Sequence, residues 1–138
     1  MKKIALVVLT LCALWLAPVH AQQTGPIYCG ASATATVGAA IGQVVPAPGT
    51  GSAKIYICSF TITNTGATVN TVTFQYGTGT NCGTGTTTFG PTIDVAATST
   101  FTEGADTFHG FVTPIGGQAV CVTPNVASAV VTIYYVQQ

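Results

Sequence analysis

The chain carries very little charge, and this scarcity argues against several classes of function. Only 4% of its 138 residues are charged, and beyond residue 21 the charged side chains are Lys54, Asp94, Glu103 and Asp106. Nucleic acids and anionic membrane surfaces are bound through clusters of Lys and Arg. We therefore predict no nucleic-acid partner and no membrane-surface partner. Intrinsic disorder is also disfavoured, because 48% of the residues are hydrophobic.

Histidine is scarce too, which leaves little material for catalysis. Beyond residue 21 the sequence has His109 alone. A Ser-His-Asp triad would need that residue, with Asp94 or Asp106 as its partner, but no G-x-S-x-G motif is present. One histidine and three scattered acids also lack metal-ligand spacing. We interpret His109 as a surface residue and predict no catalytic, metal-binding or cofactor-binding residue.

The three acids offer one enzymatic alternative. Asp94, Glu103 and Asp106 include candidates for the carboxylate pair of a glycosidase, and Glu103 and Asp106 flank Gly104 in a predicted loop. Charged residues in loops more often serve solubility. The sequence therefore predicts a protein that is not an enzyme, with a small secreted hydrolase as the further alternative.

Residues 1–21 have the features of a secretory signal peptide. Lys2 and Lys3 precede an uncharged apolar run over residues 4–17, and Ala21 ends the segment. The run is shorter than the roughly 20 residues of a membrane-spanning helix, which disfavours an uncleaved anchor. We predict cleavage after Ala21, one β-sandwich domain over residues 22–138, and a secreted or periplasmic protein with no membrane attachment after cleavage.

Four cysteines remain after such cleavage: Cys29, Cys58, Cys82 and Cys121. In an exported chain of this size they predict two disulfides, with three possible connectivities. Cys58 and Cys121 lie in apolar strand patterns, whereas Cys29 and Cys82 each precede a glycine. This likeness favours Cys58–Cys121 across the core and Cys29–Cys82 near the surface. A zinc site is the competing interpretation, but no C-x-x-C pair is present.

Helical periodicity is absent beyond residue 21, and strand patterns follow one another instead. In one of them, Tyr56, Cys58, Phe60 and Ile62 share a face by period-two alternation. The last is apolar on both faces, so it should be central in its sheet. The candidates are residues 31–37, 41–45, 53–63, 72–76, 86–93, 98–102, 107–113, 118–123 and 128–136.

Spacing near 8–12 residues is typical of sandwiches and small barrels. The fold class predicted is all-β: a single jelly-roll-like antiparallel β-sandwich of about eight strands with two disulfides. An immunoglobulin-like sandwich is the second choice, because the usual core tryptophan is missing.

The organising feature is a hairpin over residues 69–93. Its two strands flank a glycine-rich loop, residues 77–85, that contains Cys82. A disulfide at that cysteine would offset the entropy that such a loop loses on ordering. The loop lacks the lysine and the following helix of a phosphate-binding loop.

Several of these segments carry a family resemblance. The chain contains the runs YICSFTIT, VTFQYGTGTNCGTGTTTFGP, TPIGGQAVCV and VTIYYVQ. Together they resemble a group of small proteins from phages and proteobacteria that share a YGTGTNCGTGT-like loop. The resemblance implies a compact β-sandwich of the kind found in virion-associated, tail-associated and exported proteins. It implies no catalytic residue, and the signal peptide favours export.

The function predicted is that of a secreted, non-enzymatic structural or interaction protein, a subunit of a cell-surface or phage-derived (virion or tail) assembly. A weakly charged surface and unguarded strand edges predict self-association into a homo-oligomer, a trimer or a filament with contacts from sheet faces. The alternative is a carbohydrate-binding module for a surface glycan, using exposed aromatics among Tyr56, Tyr76, Phe101, Phe108, Phe111, Tyr134 and Tyr135.

Overall fold

A computed structural model describes residues 27–104, 112–113, 115–126 and 129–138. These residues form eight β-strands, with a short 3₁₀ turn, Thr80–Cys82, between the fourth and the fifth. The strands are β1 (Ala31–Val37), β2 (Gly42–Val45), β3 (Ile55–Asn64), β4 (Asn70–Thr78), β5 (Thr84–Val95), β6 (Thr100–Gly104), β7 (Ala119–Pro124) and β8 (Ala129–Gln137). The predicted signal peptide, and residues 107–111 of one predicted strand, lie outside the described residues.

The strands form two antiparallel four-stranded sheets. Sheet A has the order β1-β8-β3-β6 and sheet B the order β2-β7-β4-β5. The first strand therefore pairs with the last, the second with the seventh, the third with the sixth and the fourth with the fifth. This is one long hairpin rolled into two sheets, the topology of a jelly roll. The predicted fold is confirmed, and β8 is central, between β1 and β3, as its two apolar faces predicted.

Alternating residues of both sheets build the core. Val72, Phe74 and Tyr76 of β4 are all buried, as their period-two pattern predicted. The rings of Phe60 in sheet A and Phe74 in sheet B lie 4.8 Å apart between centroids, so aromatic contact joins the two layers. The core cluster has further members from both sheets: Val45, Ile55, Ile57, Ile62, Val95, Val120, Val122, Val131 and Ile133.

A bulge in β3 changes which of its residues face the core. Ile57 pairs with Tyr135 and Ser59 with Tyr134, so Cys58 has no partner of its own on β8. The buried positions therefore run Ile55, Ile57, Phe60, Ile62 rather than in strict alternation. The prediction that Tyr56 and Cys58 share a face with Phe60 and Ile62 is wrong, because the extra residue shifts the alternation by one.

The same bulge explains why the favoured disulfide pairing is also wrong. The bonds observed are Cys29–Cys58 and Cys82–Cys121, with Cα atoms 6.1 Å and 6.2 Å apart. The bulge turns Cys58 away from the core face, and Cys121 lies in the other sheet on β7. Cys29 precedes β1, which is separated from β3 only by β8. Cys58 therefore bonds within its own layer.

The glycine-rich hairpin is confirmed, with longer strands and a shorter loop than predicted. β4 extends to Thr78 and β5 begins at Thr84. Gly79 has a φ of 73°, in the left-handed region that glycine adopts without strain. Cys82 is fully buried and bonds Cys121 on β7, so the loop is held against sheet B.

A buried asparagine joins the ends of the two sheets. Asn64 ends β3, and its Nδ2 group lies 2.8 Å from the carbonyl oxygen of Thr68, 3.1 Å from that of Val95 and 3.0 Å from that of Ala96. Its Oδ1 atom accepts a hydrogen bond from the Gly66 amide at 2.9 Å. One side chain thereby satisfies the backbone of the turn after β3 and of the chain that leaves β5.

Replacing that side chain tests its contribution. We expect Asn64→Ala to lower the free energy of unfolding by about 2–3 kcal/mol, because buried carbonyl groups lose their donor. The matched control is Asn125→Ala, since exposed Asn125 accepts one bond, from the Thr71 amide at 2.7 Å. The control should cost about 1 kcal/mol or less. Urea denaturation measures both, and equal losses would contradict the role given to Asn64.

The disulfide pairing has a direct test. Peptide mapping of the unreduced protein should yield fragments linking Cys29 to Cys58 and Cys82 to Cys121. Removing either bond as a double serine variant should cost about 3–4 kcal/mol, because the bonded cysteines are 29 and 39 residues apart. Fragments linking Cys58 to Cys121 would contradict the observed arrangement.

Candidate functional site

Of the residues considered for catalysis, only Asp94 and Glu103 lie in the part of the chain that the structure describes. His109 and Asp106 lie outside it, as do Phe108 and Phe111. Asp94 is exposed on β5 and Glu103 is exposed on β6. No group of three or more His, Cys, Asp or Glu side chains that could hold a metal ion is found among the described residues.

Asp94 and Glu103 both line a cleft between β5 and β6, at one open side of the sandwich. The cleft has a volume of ≈ 350 Å³, and its walls include Phe60, Ile93 and Phe101. Oδ1 of Asp94 accepts a hydrogen bond of 2.7 Å from Oγ1 of Thr71, which lies opposite it on β4. Asp94 is thus held by a hydrogen bond from the neighbouring strand β4.

Glu103 has a structural role at the edge of sheet A. It lies directly opposite Phe60, whose side chain faces the core, so Glu103 lies on the inward face of β6. An inward-facing charge on an edge strand opposes pairing with another chain, because pairing would bury it. The outer edge of β6 is therefore guarded.

Both edges of sheet B are interrupted. On β5, the pairing with β4 shifts register between Thr73 and Gln75, where Gly90 with a φ of 74° is followed by Pro91. Proline and bulges prevent regular pairing at an edge. The other edge strand, β2, has four residues and a register shift of its own, and Pro46 follows it.

The outer edge of β1 is the exception. All seven residues of β1 pair with β8 in unbroken register, from Ala31 opposite Tyr135 to Val37 opposite Ala129. The strand contains no charge, no proline and no bulge, and no described strand pairs with its other side. We call this side the β1 edge. It presents unpaired backbone N–H and C=O groups, which can bind another extended chain.

Threonines cover the outer face of sheet A in rows that end at the β1 edge. Thr34 and Thr132 have hydroxyl oxygens 2.9 Å apart, and Thr63 and Thr100 have theirs 3.1 Å apart. Two rows of side chains cross all four strands, and we call them the threonine rows. One is Thr34-Thr132-Thr61-Thr102, and the other is Thr36-Val130-Thr63-Thr100, in which Val130 takes the place of one threonine. The strand register therefore aligns these hydroxyl groups across sheet A.

Three of the aromatics considered for glycan binding, Tyr76, Phe101 and Tyr135, contribute to the core. Tyr76 is buried, Phe101 packs against the core cluster, and Tyr56 and Tyr135 are half-buried. Tyr134 differs, because it is 46% exposed on the outer face of sheet A. It lies opposite Ser32 on one side and Ser59 on the other.

No family model, curated protein or solved structure matches the chain. The resemblance to phage and proteobacterial proteins therefore stays a prediction. The two disulfides indicate a non-cytoplasmic protein. In the described ranges, no helix is long and apolar enough to cross a membrane.

Proposed function

We propose that the protein is an exported, non-enzymatic structural subunit that assembles with other chains outside the cytoplasm, on a cell surface or in a phage-derived particle. Residues 1–21 are its signal peptide in this proposal. The β1 edge is the observation that supports it. Three of the four described sheet edges carry a charge, a proline or a bulge, whereas β1 has none of these.

The energetics favour reversible assembly. A net backbone hydrogen bond contributes about 0.5–1.5 kcal/mol, and association costs at least about 4 kcal/mol in lost freedom of motion. Seven paired residues therefore support a contact of modest affinity. Such a contact suits a subunit that is concentrated in an assembly, where neighbours are held close together.

Lysines on the outward face of β1 test this assembly mode. We expect the double change Thr34→Lys and Thr36→Lys to weaken self-association by about tenfold or more, equivalent to ~1.4 kcal/mol, because lysine on an edge strand opposes pairing. Size-exclusion chromatography with light scattering, run over a concentration series, measures the loss.

The matched control is the double change Thr100→Lys and Thr102→Lys. These residues lie in the same threonine rows, at the opposite edge of sheet A. If β1 pairs through its edge, the control should associate like the unaltered protein. Equal weakening by both doubles would instead mean that chains meet through the outer face of sheet A. A protein that is monomeric at every concentration would reject the assembly proposal.

A carbohydrate-binding module is the second candidate function, and Tyr134 is the observation that favours it. An aromatic ring exposed between the hydroxyl groups of Ser32 and Ser59 offers a stacking surface with hydrogen-bonding groups beside it. The outer face of sheet A would then hold a glycan, independently of the β1 edge.

Glycan-array binding by the Tyr134→Ala variant separates the two candidates. Under the glycan proposal, the unaltered protein binds a defined set of glycans and Tyr134→Ala loses that binding, while Tyr28→Ala, which removes another exposed tyrosine, retains it. If the unaltered protein binds no glycan, or if Tyr134→Ala binds equally well, the glycan proposal is rejected.

A further inference from the structure

We infer that the β1 edge binds a second copy of this chain, with β1 antiparallel to β1 about a two-fold axis at Thr34. The inference rests on the proposed function and names its partner and its register. It predicts one continuous eight-stranded sheet made of two copies of sheet A.

The geometry of a sheet limits the possible registers. Directly opposed residues of an antiparallel pair point to the same face. For the outer faces of the two copies to be continuous, outward-facing residues must oppose outward-facing ones. A two-fold axis then passes through a residue of β1 rather than between two residues.

Thr34 is the central residue of β1, and this decides among the remaining registers. An axis at Thr34 pairs all seven residues, Ala31–Val37, with their counterparts in the second copy. An axis at Ala33 or at Ala35 would leave two residues unpaired at one end of each strand. The register centred on Thr34 therefore forms the most backbone hydrogen bonds.

The side chains of β1 are compatible with this pairing. On the outward face Thr34 would oppose Thr34, so its threonine row continues into the second copy. Thr36 would oppose Ser32, which places one hydroxyl side chain beside another. Thr34 already lies 2.9 Å from Thr132 between hydroxyl oxygens, which shows the geometry that such a row adopts. On the inward face Ala33 would oppose Ala35, and both are small and half-buried against the core cluster.

The lack of charge in β1 points to a second copy rather than to an unrelated chain. A two-fold axis at Thr34 places that residue opposite its own copy, so a charge at the centre of β1 would meet a like charge. β1 has no charged residue at all. An unrelated partner imposes no such limit, because opposite charges can then be matched across the contact.

The pairing also defines the size of the assembly. A two-fold contact uses the β1 edge of both copies, and the outer edge of β6 is guarded by Glu103. Growth by strand pairing in sheet A therefore stops at two copies. We expect a dimer rather than the trimer or filament that low charge alone suggests.

Cysteine cross-linking tests the register of the β1–β1 pair directly. In the exported, disulfide-bonded protein, Thr34→Cys should form a disulfide-linked dimer under mild oxidation, because opposed residues lie within the roughly 4.4–6.8 Å between Cα atoms that a disulfide spans. Thr36→Cys is the matched control. It opposes Ser32, and its own copy lies about 13 Å or more away, so it should remain monomeric on non-reducing gels.

Each outcome distinguishes the register from the proposed function. Suppose that the unaltered protein associates. If Thr36→Cys then cross-links and Thr34→Cys does not, or if neither variant cross-links, the register is rejected while the assembly proposal stands. If the unaltered protein does not associate, both proposals fail.

A second measurement applies if Thr34→Cys does not fold. Spin labels on Thr102→Cys, at the far edge of each copy, lie seven strand spacings apart in the proposed dimer, about 30–35 Å. A distance well outside this range, or no dipolar coupling between labels, would overturn the inference.

Discussion

In a sheet, every backbone N–H and C=O group needs a hydrogen-bond partner, and the rest of the structure depends on this requirement. Rolling one long hairpin into two sheets pairs the inner strands on both sides and leaves four edges among the described strands, β1, β2, β5 and β6. Three of those edges carry devices that oppose further pairing: a short bulged strand at β2, Pro91 in β5 and inward-facing Glu103 in β6. The remaining edge gives the protein its proposed function. Because the chain has so few charges, charge repulsion does little to keep its copies apart.

The low charge and the threonine content have a common structural consequence. The outer face of sheet A is covered by hydroxyl groups that bond one another across strands, as Thr34 does with Thr132 and Thr61 with Thr102. Such pairs give polar atoms a partner without charge and stabilise the pairing of neighbouring strands. The Cys29–Cys58 bond then holds the chain just before β1 to β3, across the intervening β8. The edge strand is thereby tethered at its start, which keeps it ordered while its outer side is unpaired.

Much of the fold follows from local pattern, because alternation and turn residues act over short distances. The alternation in β4, the two apolar faces of β8 and the glycines around Cys82 were sufficient to predict the hairpin, the central strand and a jelly roll.

The bulge at Cys58 could not be predicted, since it arises from pairing between β3 and β8. It made both the predicted face assignment and the predicted disulfide pairing wrong. The role of Asn64 could not be predicted either, because its partners Val95 and Ala96 are distant in sequence. The candidate site was predicted least well. The sequence indicated unguarded edges in general, but which strand forms an edge, and that Glu103 faces inward on one, are properties of the assembled sheets.

The central claim is that an unguarded β1 edge makes this protein a self-associating subunit. Sedimentation velocity of the disulfide-bonded protein over a concentration series tests it most directly. The account predicts a reversible exchange between one chain and two, with the dimer fraction rising with concentration. A single sedimenting species with the mass of one chain, unchanged up to the highest concentration, would contradict it.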